Sequence, residues 1–498
     1  MEGLTRNKPK CLVPVNNLPI LGYVLKKFPQ AQFIVIAEYK AEVLEKYLAT
    51  FMDAYDHKIV KARKHGTASG IKDALAYFDD NEQVMITWSD LILADDLAIP
   101  TGGNWIGIAK DFECRWSYSD GKFTQEHSKE HGVAGLYIFE NKKLLEDIPE
   151  GGGFTEWLCT QDIAFEELPL TGTKEIGTLL SYNGENGSDK TRCRPFNSIE
   201  FDGNFVIKKG ITEQGRKIAL DEIAWYKHVK ELGYEFIPEI LEYEPLKMNC
   251  VRGKNIYEYD CLTLTQKKAI LKKLIEALKS LHDLEPIQPV NLDDVRENYI
   301  TKTFERLNKV KDLIPFADRE FIKINGKRYK NVFFAQDEFI STLEGMMPSD
   351  FRLIHGDCTF SNMMFDTFNM KAVLIDPRGY FGKTKYYGDV DYDWAKLYYS
   401  LSGNYDQFNI KKFTLDIREN DVELAIKSNG WEGMEKHFFE SLPEVDPDKI
   451  RALHAVIWLS LTTYAWEDYD SICGAFYNGL IKLETLRHGS RQLIKRAA

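Results

Sequence analysis

The chain has 498 residues, with 64 Lys and Arg against 76 Asp and Glu, a formal net charge of −12, 44% hydrophobic and 13% aromatic residues. This composition excludes disorder, collagen and fibre, and at roughly 100–200 residues per domain the length asks for two to four compact domains. The acidic balance argues against coating nucleic acid or an anionic membrane, since neither attracts a net-negative surface, though local basic clefts for phosphates remain compatible with it.

The eight cysteines form no CxxC pair and no cluster with histidines, so they read as the reduced thiols of a cytoplasmic protein. No stretch approaches the ~18 apolar residues of a membrane helix. Pro14, Asn16, Asn17 and Pro19 interrupt the opening segment, so neither a signal peptide nor an anchor is expected.

Along the chain, residues 1–182 alternate short apolar runs with helical periods, the pattern of an α/β layer with a largely parallel sheet. Phe33 to Ala37, Gln83 to Trp88 and Gly135 to Phe139 read as buried strands, and Ala41 to Phe51 as a helix. Residues 183–194 are polar and Gly-rich at their start and read as a linker. A first lobe is expected over 195–252: a β-ribbon over 198–209 turning at Asp202-Gly203-Asn204, a helix from Leu220 to Leu232, and a strand from Leu246 to Val251. Residues 253–498 turn helical, beginning with a helix capped by Thr263 and Gln266 whose face carries Leu271, Leu274, Leu278 and Leu281.

The strongest chemistry lies in the second half. His355-Gly356-Asp357 is followed by Asn362 and by a strand ending at Asp376. Phosphoryl transfer needs a carboxylate to orient the attacking hydroxyl and accept its proton. It also needs an oxygen ligand from the loop and a carboxylate at the strand end to hold Mg²⁺. Asp357, Asn362 and Asp376 fit those roles in that order. Upstream, period-two alternation puts Val206 and Lys208 on one face, for adenine and the α/β-phosphates, and Glu222 on the next helix is the expected partner of that lysine. Lys209 should face the other way.

This set resembles the aminoglycoside phosphotransferase and choline kinase group of small-molecule kinases over roughly residues 195–480. The resemblance implies a two-lobed protein-kinase-like α+β fold, ATP and Mg²⁺ as cofactors, and Met248 to Val251 as a hinge for adenine. The loop Asn197 to Asn204 departs from the protein-kinase pattern in having one glycine. A protein kinase itself fits poorly, because the arginine of H-R-D, the D-F-G and the A-P-E are all missing.

In the first domain, Lys10-Cys11-Leu12-Val13-Pro14-Val15, with Pro19-Ile20-Leu21 after it, looks like the K-x-L-x-P-V-x-x-x-P-I-L stretch of nucleotidyltransferases that make NDP-sugars and CDP-alcohols. The family is GT-A-like, with a Rossmann-like mixed sheet. By register the resemblance makes Lys10 the phosphate-contacting catalytic lysine, with Lys8 the alternative. It makes Gly66 and Thr67 part of the nucleotide-base segment, and Asp90 and Glu175 the metal ligands, with CTP or another NTP as substrate. Such a reaction brings two anions together, so a lysine and a cation held by two carboxylates suit its transition state. The plainer readings are that Asp90 caps the segment from Leu91 onward and that Glu175 is a solvated loop acid. The family's opening strand and G-x-G-x-R loop have no counterpart after Met1. The expectation is that the true start lies upstream, the alternative being a first domain kept as a scaffold.

Together the two resemblances imply a cytoplasmic enzyme that phosphorylates a small alcohol or sugar and activates the product as an NDP-linked building block for a capsule or lipopolysaccharide. No nucleic acid and no membrane insertion is expected, and a homodimer is compatible. Arg378 suits a carboxylate or phosphate on the substrate, unless it is tied to Asp389, Asp391 or Asp393. The competing acceptors are choline or ethanolamine, held in a cage drawn from Tyr380, Tyr387, Trp394, Tyr398, Trp458, Tyr464, Trp466 and Tyr469. A kinase with an inert first domain, or a nucleotide-binding regulator, are the readings from other classes.

Overall fold

A computed structural model describes residues 1–186 and 197–497. It divides into two units, Met1–Asp189 with Glu467–Tyr469, and Lys190–Trp466 with Asp470–Ala498. Among the described residues no helix is long and apolar enough to cross a membrane.

The first unit is built on the strand Gly132–Phe139, buried along its whole length. It pairs antiparallel with Val84–Thr87, Trp105–Ala109 and Ser117–Ser119. Glu166–Leu170 adds to Trp105–Ala109 in parallel. The strands Phe33–Ala37 and His57–Lys61 form a separate parallel pair joined through the helix Ala41–Phe51. The sheet is therefore mixed and mostly antiparallel, not largely parallel. Apolar runs report burial on both faces and carry no mark of strand direction. Ile106, Ile108, Tyr137, Phe139, Phe154 and Trp157 make the main core of this unit.

Residues 183–186, read as linker, are the last turn of the helix Leu179–Asn186. Asn186 secures that turn, its Nδ2 donating to the Tyr182 carbonyl and its Oδ1 accepting from Asn16 N. The rest of the expected linker, 187–194, lies outside the described residues, as does Cys193.

In the second unit, Asn197–Asp202 and Phe205–Gly210 form the expected ribbon, turning at Gly203 with φ of 60°. The sheet continues through Leu246–Asn249 to Ile240–Tyr243. The following helix starts earlier than its apolar period suggests, at Glu213, because the Thr212 hydroxyl caps it by accepting from Gly215 N. The helix Leu264–His282 opens with the reciprocal Thr263–Gln266 capping box. The hairpin Met363–Asp366 and Lys371–Leu374 links the loop His355–Asn362 to Asp376. A π-helical turn over Glu297–Thr301 leads directly into the helix Lys302–Val310.

Candidate functional site

In the second unit the loop His355–Asn362 is held from below by one buried side chain. Asp393, fully buried in the helix Val390–Leu401, accepts hydrogen bonds from His355 N at 2.9 Å and Gly356 N at 2.7 Å and faces His282 Nε2 at 3.1 Å. His355 then turns the chain outward. Its Nε2–H donates to the Ile375 carbonyl at 2.9 Å and its Nδ1 accepts from Asp357 N at 3.2 Å, a pairing that requires neutral imidazole. Burial holds its pKa below the ordinary histidine value. Gly356 has φ of 80°, and a Cβ there would lie 2.9 Å from Cβ of Arg378, so this position requires glycine.

Asp357 emerges from that clamp beside Asn362 and Lys396. Asn362 Nδ2 donates to its carbonyl and to its Oδ2, both at 2.9 Å. Lys396 Nζ lies 2.9 Å from its Oδ1. Burial disfavours the charge on Lys396, but Asp357, Tyr392 and Tyr405 together outweigh it and raise the lysine's pKa. Asn362 and Asp376 are neighbours across the hairpin, since Ile375 N donates to the Asn362 carbonyl at 3.0 Å.

Lys208 reaches this point from the ribbon. Its ammonium lies 2.8 Å from Glu222 and is also bonded to Asp376. Burial pushes Glu222 up to about 7 despite the lysine, whereas at Asp376 Lys208, Glu222 and His355 together outweigh burial and keep the carboxyl low. Lys209 points away, 3.6 Å from Glu200. Val206 is paired with Met248 in the sheet, and Cys250 N, between Met248 and Val251, donates to the Asn204 carbonyl at 2.7 Å.

Arg378 makes none of its three candidate ion pairs. Lys449 takes Asp389 and Asp391 at 2.9 and 2.8 Å, and Asp393 is committed to the loop. The Arg378 guanidinium instead sits 4.6 Å from the centre of the Tyr380 ring and 3.5 Å from the Tyr392 hydroxyl. Six of the eight residues of the competing aromatic cage are engaged in other contacts. Trp394, Tyr398 and Trp458 are buried in helix packing, Tyr387 donates to Glu285, Tyr380 carries Arg378, and Tyr464 carries Arg306 at 5.1 Å.

In the first unit Lys10 Nζ lies 2.6 Å from Asp90 Oδ2, with side chains 30% and 23% exposed. Glu175 joins them through the pair Lys174–Glu175 with Leu91–Ile92, and Ile176 N donates to the Asp90 carbonyl at 2.8 Å. Burial, then the charge of Asp90, raises the Glu175 pKa. Leu91–Ile92 is a strand, so Asp90 caps no helix. Lys8, the alternative lysine, is buried. Gly66 lies against Gly152, where a Cβ would meet the carbonyl, and Thr67 Oγ1 accepts from Phe154 N.

Among the described residues no group of three or more His, Cys, Asp or Glu forms a metal cluster. Each site instead offers a pair of oxygen-bearing side chains, Asn362 with Asp376 and Asp90 with Glu175. Such pairs suit Mg²⁺, which binds one or two carboxylates and completes its shell with water and substrate phosphates.

Sequence reasoning did not identify Asp393 and Lys396 as site residues. The three acids of Gly388-Asp389-Val390-Asp391-Tyr392-Asp393-Trp394 were visible, but spacing does not say which of them turns inward.

No curated protein matches the chain. Among solved structures, HddC from Yersinia pseudotuberculosis is similar at 20% identity and a TM-score of 0.31, covering 37% of this chain and 91% of its own. A UDP-glucose pyrophosphorylase complexed with UDP-glucose is similar at 13% identity and 0.30, covering 36% and 89%. A choline/ethanolamine kinase family protein from Mesorhizobium loti is similar at 12% identity and 0.35, covering 58% and 85%. Residues 212–410 match the phosphotransferase enzyme family APH. The matched stretch begins just after Lys208 and contains Glu222, Asp357, Asn362, Asp376, Arg378 and Lys396, so the second unit of this chain carries a phosphotransferase-family domain.

Proposed function

We propose that the chain is an ATP-dependent small-molecule kinase joined to a nucleotidyltransferase domain, phosphorylating an alcohol or sugar and activating the product with CTP or another NTP. The observation that carries the kinase reading is the linked set Lys208–Glu222–Asp376 and Asn362–Asp357–Lys396. Lys208, held by Glu222, positions the α/β-phosphates, while Val206, Met248 and Val251 line the adenine. Asp357 orients the acceptor hydroxyl and takes its proton as the oxygen attacks the γ-phosphorus and the bond to ADP breaks. Bound Mg²⁺ would neutralise charge on the phosphates, with Asn362 and Asp376 as its protein ligands. His355 and Asp393 keep the base in place.

Lys10, Asp90 and Glu175 support the second activity, in which a phosphate oxygen attacks an NTP α-phosphorus and pyrophosphate leaves. Gly66 and Thr67 are assigned to the nucleotide base. A cytoplasmic supplier of activated units for capsule or lipopolysaccharide is the role that joins the two steps. Choline is disfavoured as acceptor because Tyr380 and Tyr464 already hold guanidinium groups.

The test is transfer from ATP–Mg²⁺ to a panel of polyols, sugars, hydroxy acids and amino alcohols, followed by addition of each NTP. Expected are a phosphorylated acceptor, lost in Asp357→Asn, and then pyrophosphate. A panel without any transfer counts against the kinase, and transfer without pyrophosphate points to an inert first domain.

A further inference from the structure

The cations around Lys208 are balanced and those beyond Asp357 are not. Lys208 has two carboxylates, and Lys396 has one, Asp357. Arg378, Lys302 and Arg306 make no ion pair among the described residues. Arg378 is packed on Gly356, next to the base. Its neighbour Tyr392 is shared: the hydroxyl faces Arg378, and the ring face lies 5.7 Å from the Lys396 ammonium. Lys302 and Arg306 stand four positions apart on the helix Lys302–Val310 and so share one side of it.

Arg306 is built in place. Its Nη1 donates to the Ser460 carbonyl at 2.7 Å and its guanidinium lies over Tyr464. The helix is fixed beside it, with the Thr303 and Ser460 hydroxyls 2.7 Å apart. Lys302 is half-buried and has no hydrogen bond among the described residues. Its pKa is pushed down to about 7, first by burial and then by Arg378, Arg306 and Lys396, against the opposing charge of Glu297. Tyr299, three positions before Lys302, has its ring 6.1 Å from the Tyr392 ring, whose hydroxyl faces Arg378, so the helix opens beside the same tyrosine. A fold that gathers unpaired cations there bears a cost that an anion would offset.

We propose that Lys302, Arg306 and Arg378 form the seat for an anionic group on the acceptor alcohol, a carboxylate or a phosphate, leaving the acceptor hydroxyl to Asp357. The assignment rests on the kinase reading above and specifies its substrate class. Guanidinium groups stacked on tyrosines keep their donor edges available for a planar carboxylate or a phosphate, and the ammonium of Lys302 adds a charge that adapts to either.

The full-length protein with ATP–Mg²⁺ tests this against matched acceptors: glycerol, glycerate and glycerol 3-phosphate; glucose, gluconate and glucose 6-phosphate; and choline as the cation. An anionic member should exceed its neutral counterpart at least 100-fold in kcat/KM, and the carboxylate and phosphate arms identify which anion is used. Lys302→Met and Arg306→Gln should each raise the KM for that acceptor about 10- to 100-fold, leave the KM for ATP unchanged, and reduce the preference, with Arg306→Lys partly restoring it. In the unmodified protein, sulfate should compete with the acceptor and not with ATP, a readout independent of variant folding. Preference for neutral or cationic acceptors, or an unchanged acceptor KM in folded variants, overturns the proposal and leaves the kinase standing. If Asp357→Asn alters no ATP turnover with any acceptor or with water, the kinase reading falls, and the proposal with it.

Discussion

The two constellations of charged side chains differ in how they are held. In the second unit each member has its own restraint: Asp393 and His355 fix Asp357, Glu222 fixes Lys208, and the hairpin sets Asn362 beside Asp376. In the first unit Lys10 is bonded directly to Asp90, and both are partly exposed. The lysine there is the acid's own counter-charge. A preorganised site loses most of its rate when one member is removed, whereas a self-paired one must be opened by its ligand.

Asp357→Asn should break the second constellation outright, lowering phosphoryl transfer about 10³-fold in a coupled ADP assay without changing pyrophosphate release from an NTP. The mirror experiment is Lys10→Met or Asp90→Asn. Pyrophosphate release should fall about 100-fold while phosphoryl transfer stays within about twofold, because the groups belong to separate chemistries. Equal losses of both activities in either experiment would erase the distinction between the sites. Asp393→Asn sharpens it further. Two loop N–H groups lose a charged acceptor, costing about 2 kcal/mol in thermal unfolding, and kcat should fall with little change in the KM for ATP.

The smallest effect is a pH dependence. Lys302, at about 7, loses its proton between roughly pH 6 and 8, so the KM for an anionic acceptor should rise a few-fold over that interval, and Lys302→Met should flatten the rise. Stability moves the opposite way. An unfolded lysine titrates near 10.4, so from about pH 7 to 10 the unfolded chain binds more protons at this position, and the fold gains stability as pH rises. Lys302→Met should therefore raise the melting temperature at pH 6–7 by about 2 °C.

Residues bound together by short-range grammar were legible in the sequence. His355, Asp357, Asn362 and Asp376 fall within one loop-and-hairpin span, and the alternation at Val206 and Lys208 fixes their face. Thr263 with Gln266 announced its helix for the same reason. Strand direction was not legible, since the run Gly132–Phe139 is apolar whichever way its neighbours point. Lys396 and Asp393 belong to a helix whose inward face is decided by packing on a distant loop. Lys302 and Arg306, four positions apart in a charged helix, look like any solvated face until the fold brings the start of that helix, through Tyr299, against Tyr392.

The π-helical turn Glu297–Thr301 has a consequence for engineering. Such a turn holds one residue more than an α-helical one, and each residue of an α-helix advances the side chains by about 100°. Deleting one residue there should rotate Lys302 and Arg306 as a unit relative to the preceding segment, without altering either side chain. Acceptor choice in this enzyme would then be editable by the length of a helix, a change that leaves every charge in the chain intact.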